Sequence, residues 1–267
     1  MKKLTENVYF DSNICNHCLV RTTDGVVLID TPAFPSAAAI WRDSVASCGQ
    51  PLRYIINTEP HLDHFGGDFF FDAPLVAHEG AGRAIEAAFL DNYLQMIGPV
   101  ESQRLPYYFS FRRPAIVFSQ NLTLYVGSCT FRLLHLPGHT PYQTPVYVPE
   151  EGVLFAGDNV VGGMPLFHEA EPERWLHSLD ELMGLDIDVV VPGHGPVGGK
   201  DLITRMKTEV TACMAIIAEA VKKGLTLEET LSTVSFLDRY PEPAADPEKR
   251  LFFERRSITG LYNALTG

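Results

Sequence analysis

The sequence predicts one large α/β domain, and three observations lead to this fold class. Strand and helix patterns follow one another in the order β-rich, α, β-rich, α. The 267 residues suffice for a single domain with a sizeable apolar core. Polar residues stand directly after several predicted strands, where the ligands of α/β folds gather. We therefore predict one domain over 1–267, of which about 200–267 form a helical C-terminal part.

Apolar runs bounded by turn residues predict the elements of the first half. Strands are predicted at 7–10, 14–20, 26–29, 52–57 and 74–77. Helices are predicted at 36–47, where Ser36 can cap the first turn, and at 81–97, and a helix start is expected after Gly67. Residues 98–114 break this pattern with prolines, aromatic residues and arginines.

The second half repeats the succession of strands and helices. Strands are predicted at 116–118, 122–125, 130–136, 146–148, 153–155 and 187–191. Helices are predicted at 173–183, 200–223, 227–234 and 247–265. The helix at 227–234 begins with a capping box formed by Thr226 and Glu229, which satisfies backbone groups at a helix start.

Composition and charge exclude several classes of protein. The chain carries 21 Lys and Arg against 33 Asp and Glu, a net charge of −12, and nucleic acids are bound by clustered cations, so no nucleic-acid partner is expected. No run approaches the roughly 20 apolar residues of a membrane span, so we expect no membrane association. The first residues, MKKLTENVYF, contain no apolar run of signal-peptide length, which favours the cytoplasm.

Histidines and acidic residues follow four of the predicted strands. They are Glu59, His61, Asp63, His64, His139, Asp158 and His194. Turn residues beside each group, such as Gly66–Gly67 and Pro192–Gly193, let the backbone approach a shared centre closely. Imidazole and carboxylate together suit a divalent transition metal. The first four residues fit neither helix nor strand periodicity, but their spacing fits a loop around a metal ion.

Five motifs resemble, in this order, those of the metallo-β-lactamase superfamily. They are Val27-Leu-Ile-Asp30-Thr31, Glu59-x-His61-x-Asp63-His64-x-Gly66-Gly67, Leu136-Pro-Gly-His139-Thr140, Leu154-Phe-Ala-Gly-Asp158 and Val191-Pro-Gly-His194-Gly195. The resemblance covers residues from about 13 to 198. It implies a four-layer αββα sandwich, in which two mixed sheets pack face to face, helices lie outside, and a metal site lies at one edge.

The resemblance also implies two divalent metal ions, with zinc as the first expectation. His61 and His139 would hold the first ion, joined by Glu59 in the place where the family usually has His. The second ion would be held by Asp63, His64 and His194. Asp158 would bridge both ions.

Glu59 departs from the family pattern and changes the charge of the predicted site. The charges of three carboxylates (−3), two divalent ions (+4) and a bridging hydroxide (−1) sum to zero. With His at position 59, the same sum would be +1. We therefore expect weaker attraction of anionic substrates and less acidification of bound water. Because oxygen ligands suit harder ions, Mn or Fe could replace zinc. Alternatively, Glu59 swings away and leaves a weak first site or a single ion.

The activity that the resemblance implies is hydrolysis by a metal-bound hydroxide in a dinuclear site. The expected partner is a small-molecule substrate with an ester, thioester, lactone, amide or phosphodiester bond. Asp63 would be the catalytic residue that orients the water or accepts its proton. Asp30 either supports the Asp63–His64 loop by hydrogen bonding or only caps the turn after its strand.

Further residues are candidates for the pocket or for support of the ligands. They are His135, Tyr142, His168, Tyr107, Tyr108 and Arg112. Strand alternation would place His135 on the same face as His139, while Tyr142 and His168 follow turns that carry ligands. The last three belong to the segment 98–114, which forms a lid over the substrate, a connection packed on the core, or an oligomer contact.

Two other functions stay open. The first is an iron or diiron oxidoreductase of the same superfamily, although flavodiiron proteins carry their Glu at the place of His61. The second is a non-catalytic metal-binding module, although only one of the seven ligand positions departs from the family. The C-terminal helices could cover the pocket or form a homodimer contact.

Overall fold

Twelve strands and eight α-helices form in the part of the chain that the computed structural model describes, residues 1–240 and 246–267. The strands are β1 (Lys2–Lys3), β2 (Val8–Ser12), β3 (Asn16–Thr22), β4 (Gly25–Ile29), β5 (Leu52–Ile56), β6 (Leu75–His78), β7 (Ile116–Phe118), β8 (Leu122–Val126), β9 (Cys129–Leu133), β10 (Val146–Val148), β11 (Val153–Val161) and β12 (Val189–His194). The helices are α1 (Pro35–Ser47), α2 (Leu62–Phe65), α3 (Glu79–Glu86), α4 (Leu90–Ser102), α5 (Pro172–Met183), α6 (Asp201–Lys222), α7 (Leu227–Thr233) and α8 (Pro247–Thr266).

The strands form two mixed sheets. The first has the order β1-β2-β3-β4-β5-β6-β7; it is antiparallel up to β4 and parallel from β4 to β7. The second has the order β12-β11-β10-β9-β8, and within it only β11 and β12 run parallel. The first half of the chain thus builds one sheet and the second half builds the other.

Apolar side chains stack the elements in four layers. Val20 and Val27 face the second sheet and pack against its residues, such as Phe131. Leu19 and Leu28, which alternate with them, point to the other face of the first sheet and form a cluster with α1. The outer face of the second sheet is covered by α5, α6 and α8. Strands buried on both faces explain the continuous apolar runs of the sequence. The predicted αββα sandwich is confirmed.

The predicted helix at 81–97 is wrong as a single element, because the chain forms two helices there. α3 ends at Glu86 and α4 begins at Leu90. α3 packs on β6 and β7, whereas α4 packs on α1 and donates the Tyr93 hydroxyl to the carbonyl of Ala33 at 2.6 Å. One straight helix could not reach both neighbours. α4 also continues to Ser102 across a break at Gly98, whose φ is +76°.

Three strand ends also differ from the prediction. β9 ends at Leu133, three residues before the predicted end. β11 continues past Phe155 to Val161, and β12 continues through Pro192 to His194. Gly157, with φ +53°, forms a bulge after which β11 pairs with β12 again. Asp158 and His194 therefore lie inside strands rather than after them.

The C-terminal helices cover the second sheet close to the positions predicted from the sequence. The predicted capping box is present, since Thr226 Oγ1 accepts from the N–H of Glu229 and Glu229 Oε2 accepts from the N–H of Thr226. Glu254, which is buried on α8, accepts from the N–H groups of Phe236 and Leu237 and ties α8 to the preceding turn. Among the helices of residues 1–240 and 246–267, none combines the length and apolar character needed to cross a bilayer.

Candidate metal centre

Seven side chains from both sheets meet in one place. The loop after β5 brings Glu59 and His61, and α2 brings Asp63 and His64. The second sheet contributes His139 from the loop after β9, Asp158 from β11 and His194 from β12. Ligand atoms of Glu59, His61 and His139 all lie within 4.8 Å of one another, and those of Asp63, His64 and His194 do the same. The seven residues expected as ligands therefore form two adjacent groups.

Asp158 lies between these two groups. Its Oδ1 is 3.4 Å from Nε2 of His64, and its Oδ2 is 3.6 Å from Nε2 of His139 and 3.4 Å from Nε2 of His194. This approach depends on Gly193, because a Cβ there would lie 1.9 Å from Asp158 Oδ1. One carboxylate thus contacts imidazoles of both groups, which is the position of a bridging ligand.

Three of the imidazoles are oriented by hydrogen bonds from Nδ1 to protein oxygens. The pairs are His64 with Oδ2 of Asp30 at 2.9 Å, His139 with the carbonyl of Leu166 at 3.0 Å, and His194 with the carbonyl of Ile14 at 2.9 Å. Because these oxygens accept, the proton of each neutral ring lies on Nδ1. Nε2 then keeps a lone pair for a metal ion and faces the centre.

His61 has the opposite orientation. Its Nδ1 faces Oε2 of Glu59 and lies 3.3 Å from Nε2 of His139, while its Nε2 lies 3.7 Å from Oε2 of Glu169. Glu169 is thus the outer partner of the His61 ring. The sequence did not single out Glu169, although it directly follows the pocket candidate His168.

Glu59 is fully buried, and its side chain points into the centre. Oε1 accepts from the backbone N–H of Asp158 at 3.1 Å and from Nε2 of Gln143 at 3.3 Å. Oε2 faces Nδ1 of His61 and lies 3.7 Å from Nε2 of His139. The carboxylate therefore has one oxygen held by the protein and one available to a metal ion. Gln143 was not predicted; it lies four residues after His139.

Buried atoms without partners test whether these residues fit metal ions. Within the described part of the chain, Glu59 Oε2, His64 Nε2 and Asp158 Oδ1 are buried and have no hydrogen bond. Such atoms cost about 1–3 kcal/mol each unless something satisfies them. All three are lone-pair donors aimed at the same centre, so divalent ions would satisfy them together. The residues present fit the two ions that the resemblance implies.

The charges of the centre also call for cations. Glu59, Asp63 and Asp158 bring three carboxylates into a largely buried place. Burial disfavours a charged His61, yet Glu59 and Glu169 outweigh burial and raise the pKa of His61 to about 10. The centre thus stabilises positive charge strongly, and metal ions can take the place of such protons.

The centre is open on one side. The side chains of His194, His61 and Asp63 are 32%, 22% and 19% exposed, whereas those of Glu59 and His64 are fully buried. A substrate therefore has access from the side of His61, Asp63 and His194.

Residues around the centre fix the turns that carry its ligands. Asp30 accepts from the N–H and the hydroxyl of Thr58 at 2.8 and 2.7 Å, in addition to its contact with His64. Its φ of +54° marks the sharp turn after β4. Cys15 Sγ donates to the carbonyl of Asp63 at 2.9 Å, and Asn16 Nδ2 donates to the carbonyl of Pro192 at 2.8 Å. Asp30 thus both shapes its turn and orients His64.

His135 and Tyr142 lie together at some remove from the ligands. Because β9 ends at Leu133, strand alternation does not extend to His135 and gives no basis for placing it on the face of His139. The His135 ring stacks on His78 with centroids 4.1 Å apart, and the Tyr142 ring lies 5.6 Å from the same histidine. Both residues pack around His78.

His168 is brought beside the centre, with its ring centroid 5.4 Å from that of His61 and 5.8 Å from that of His139. This places it between the ligands and the C-terminal helices.

The segment 98–114 packs on the helix that carries two ligands. The Phe111 ring contacts Phe65 of α2, with centroids 5.3 Å apart. Arg112, expected to line the pocket, donates to the backbone carbonyls of Phe71 and Ala73, so its guanidinium is already bound. Tyr107 is 100% exposed, and Tyr108 is largely exposed beside it.

Comparisons with known proteins agree with this arrangement. The sequence profile of the metallo-β-lactamase superfamily matches residues 12–194. A linear primary-alkylsulfatase from a Pseudomonas species is 23% identical over 258 residues, which cover 81% of this chain and 49% of the relative. The chain thus spans about half the length of that enzyme. Acyl-coenzyme A thioesterase MBLAC2 from Bos taurus is 25% identical over 229 residues, which cover 76% of this chain and 81% of the relative.

A solved structure shows the same fold. The metallo-β-lactamase from Pontibacter korlensis superposes with a TM-score of 0.64 at 20% identity, covering 79% of this chain and 97% of that chain. The fold, the profile match and the order of the motifs agree, and the chain belongs to the metallo-β-lactamase superfamily.

Proposed function

We propose that the protein is a hydrolase that binds two divalent metal ions, zinc in the first place, and cleaves a small ester or thioester. The observation that carries this proposal is the orientation of His64, His139 and His194, whose Nε2 atoms all lie within 3.6 Å of the Asp158 carboxylate. The thioesterase name of one relative and the alkylsulfatase name of another support cleavage of an ester-like bond.

The chain assigns separate tasks to its residues. When bound, the ions supply Lewis acidity, which polarises the scissile bond and lowers the pKa of water. Asp63 lies on the open side, with Oδ2 3.1 Å from Nε2 of His194, and serves to orient the attacking water and accept its proton. Asp30 holds the His64 ring by a hydrogen bond, and Glu169 places a carboxylate 3.7 Å from Nε2 of His61.

The direct test is a substrate panel on protein reconstituted separately with Zn, Mn and Fe. It contains p-nitrophenyl esters, thioesters, lactones, bis-p-nitrophenyl phosphate and a cephalosporin. We expect hydrolysis of an ester or thioester that His139→Ala and Asp63→Asn each reduce at least 100-fold. The matched control is His177→Ala, an exposed histidine on α5 that pairs with Glu181.

Two results would overturn the proposal. Hydrolysis of no substrate by metal-loaded protein, together with oxygen consumption by the iron form, would show an oxidoreductase. Hydrolysis that survives His139→Ala would place the chemistry elsewhere.

A further inference from the structure

A cavity of about 370 Å³ lies against the metal centre, on the side of the C-terminal helices. One wall is His168, and the other is built by α7 and α8 with Leu231, Phe252 and Thr259 among its residues. Because the His168 ring also packs on His61 and His139, this histidine separates the cavity from the ligands by a single side chain. His168 therefore contacts both the cavity and two of the ligand rings.

Two arginines give this cavity a positive lining. Arg255 and Arg256 are consecutive on α8, and both are exposed. Among residues 1–240 and 246–267, neither guanidinium has a carboxylate within ion-pair distance, whereas Arg113, Arg174 and Arg239 each pair with a glutamate. Arg256 lies over the ring of Phe252, 5.6 Å from its centroid. In a chain of net charge −12, two guanidinium groups beside an apolar wall suit an organic anion.

The cavity is held in a fixed position relative to the metal ligands. The backbone N–H of Phe167 donates to Ser257 Oγ at 3.2 Å, and Gly260 approaches so closely that a Cβ there would lie 2.1 Å from the Phe167 carbonyl. The preceding residue, Leu166, accepts from Nδ1 of His139 at 3.0 Å. The short segment from Leu166 to His168 therefore joins α8 directly to a ligand.

The charge of the centre explains why a separate anion site is useful. With Glu59 as a ligand, the charges of three carboxylates, two divalent ions and a hydroxide would sum to zero. The metal centre then attracts an anionic substrate weakly, and guanidinium groups outside the ligand set can supply that attraction.

We propose that this cavity binds an anionic group of the substrate, so that the preferred substrate is an ester or thioester whose acyl or leaving part also carries a carboxylate, phosphate or sulfate. Leu231 and Phe252 contact the apolar part, Arg255 and Arg256 bind the anion, and the scissile bond lies past His168. This inference rests on the proposed hydrolase function.

The first experiment compares two esters of equal chain length, mono-p-nitrophenyl suberate and p-nitrophenyl octanoate, in which a terminal carboxylate replaces a methyl group. The wild type should prefer the anionic ester in kcat/KM. Replacing both arginines, Arg255→Gln with Arg256→Gln, should lower the ratio of anionic to neutral kcat/KM about 10- to 100-fold, since hydrogen bonds to charged groups are lost. Arg255→Lys with Arg256→Lys should recover part of the preference. The control Arg42→Gln, an exposed arginine on α1, should keep the wild-type ratio.

A second experiment does not depend on hydrolysis. Hexane-1-sulfonate, whose sulfonate is a poor metal ligand, is titrated calorimetrically into the full-length protein, with hexan-1-ol as the neutral comparison. We expect the sulfonate to bind and the double glutamine variant to bind it at least 10-fold more weakly. Sulfonate binding that needs both arginines would support the cavity even if no ester were cleaved. Normal ester hydrolysis with an unchanged substrate ratio and no sulfonate binding would overturn the cavity proposal and leave the hydrolase standing.

Discussion

Oε1 of Glu59 accepts a hydrogen bond from the backbone N–H of Asp158 at 3.1 Å. The two residues come from different halves of the fold, Glu59 from the loop after β5 and Asp158 from β11. With Gln143 as a second donor to Oε1, the carboxylate is held in one orientation and turns Oε2 towards His61 and His139. Residues from both halves of the fold thus position the Glu59 carboxylate.

Asp30→Asn should weaken metal binding without disturbing the fold. Asparagine tolerates the left-handed φ of +54° at this position, but it offers only one oxygen for Thr58 and His64. Loss of such an outer partner typically costs about 10- to 100-fold in metal affinity. Competition with a chelator measures the affinity, and Asp43→Asn on the exposed face of α1 is the control. Equal affinities for Asp30→Asn and the wild type would show that Asp30 serves only its turn.

Gly193→Ala should displace Asp158. The new Cβ would lie 1.9 Å from Asp158 Oδ1 and 2.8 Å from the backbone carbon of Gly157, so either the carboxylate or the pairing of β11 with β12 must shift. We expect the free energy of unfolding to fall by about 1–3 kcal/mol and metal content to fall with it.

Gly199→Ala is the matched control for that steric effect. The nearest atom to its new Cβ is a side-chain oxygen of Asp201 at 3.2 Å, which can move aside. If Gly193→Ala had the same metal content and the same stability as Gly199→Ala, Gly193 would not be in close contact with Asp158.

Ser257→Ala should loosen α8 from the segment that carries His168. The buried N–H of Phe167 loses its acceptor, which destabilises a fold by about 1–3 kcal/mol. Urea unfolding measures this loss. Ser232→Ala, which removes a hydroxyl bonded within the exposed helix α7, should change the unfolding free energy by less than about 0.5 kcal/mol. A loss for Ser257→Ala no larger than that of the control would show that α8 is held by other contacts.

Asp68 should make stability depend on pH. Burial, with a smaller effect of the nearby Asp30 charge, raises the pKa of this carboxyl to about 8. The hydrogen bonds from Thr31 and Asn57 and the charge of Arg112 lower this pKa but do not outweigh burial. Between about pH 4 and 8 the folded form keeps the proton that the unfolded form releases. The contribution of Asp68 to the free energy of unfolding therefore falls as pH rises, by up to about 1.4 kcal/mol per pH unit.

Asp68→Asn removes this titration and keeps an oxygen acceptor for Thr31. The unfolding free energy of the variant minus that of the wild type should rise steadily from pH 5 to pH 8 in urea titrations. A difference that stays constant over this range would mean that Asp68 is ionised throughout.

Strands and helices could be predicted where the local sequence carries a signal for them. β4 was found because a continuous apolar run between turn residues marks a strand buried on both faces. The division of 81–97 into α3 and α4 had no such mark, since Ala87, Ala88 and Phe89 contain no helix breaker. The division arises because α3 packs on the sheet and α4 packs on α1, and these contacts exist only in the folded chain.

The site shows the same limit. His139 and His194 follow Pro-Gly pairs at the ends of apolar runs, so their place near other strand ends could be inferred. Gln143 and Glu169 have no distinctive spacing, and their importance arises only from contact with Glu59 and His61. Arg255 lies 60 residues after Gly195, the end of the last ligand motif, and the expectation that the C-terminal helices could cover the pocket did not single out α8.

The metal content of Glu59→Gln directly tests whether the Glu59 carboxylate is a metal ligand. Glutamine can still accept the hydrogen bond from Asp158, but its amide turned towards His61 and His139 cannot replace a carboxylate ligand. Elemental analysis after gel filtration at rising metal concentrations gives the number of ions and their affinities, with Glu79→Gln on the surface of α3 as control. We predict two ions per chain in the wild type and in the control, and one tightly bound ion in Glu59→Gln, with the other at least 10-fold weaker. Two ions bound with equal affinity by wild type and Glu59→Gln would show that Glu59 is not a ligand.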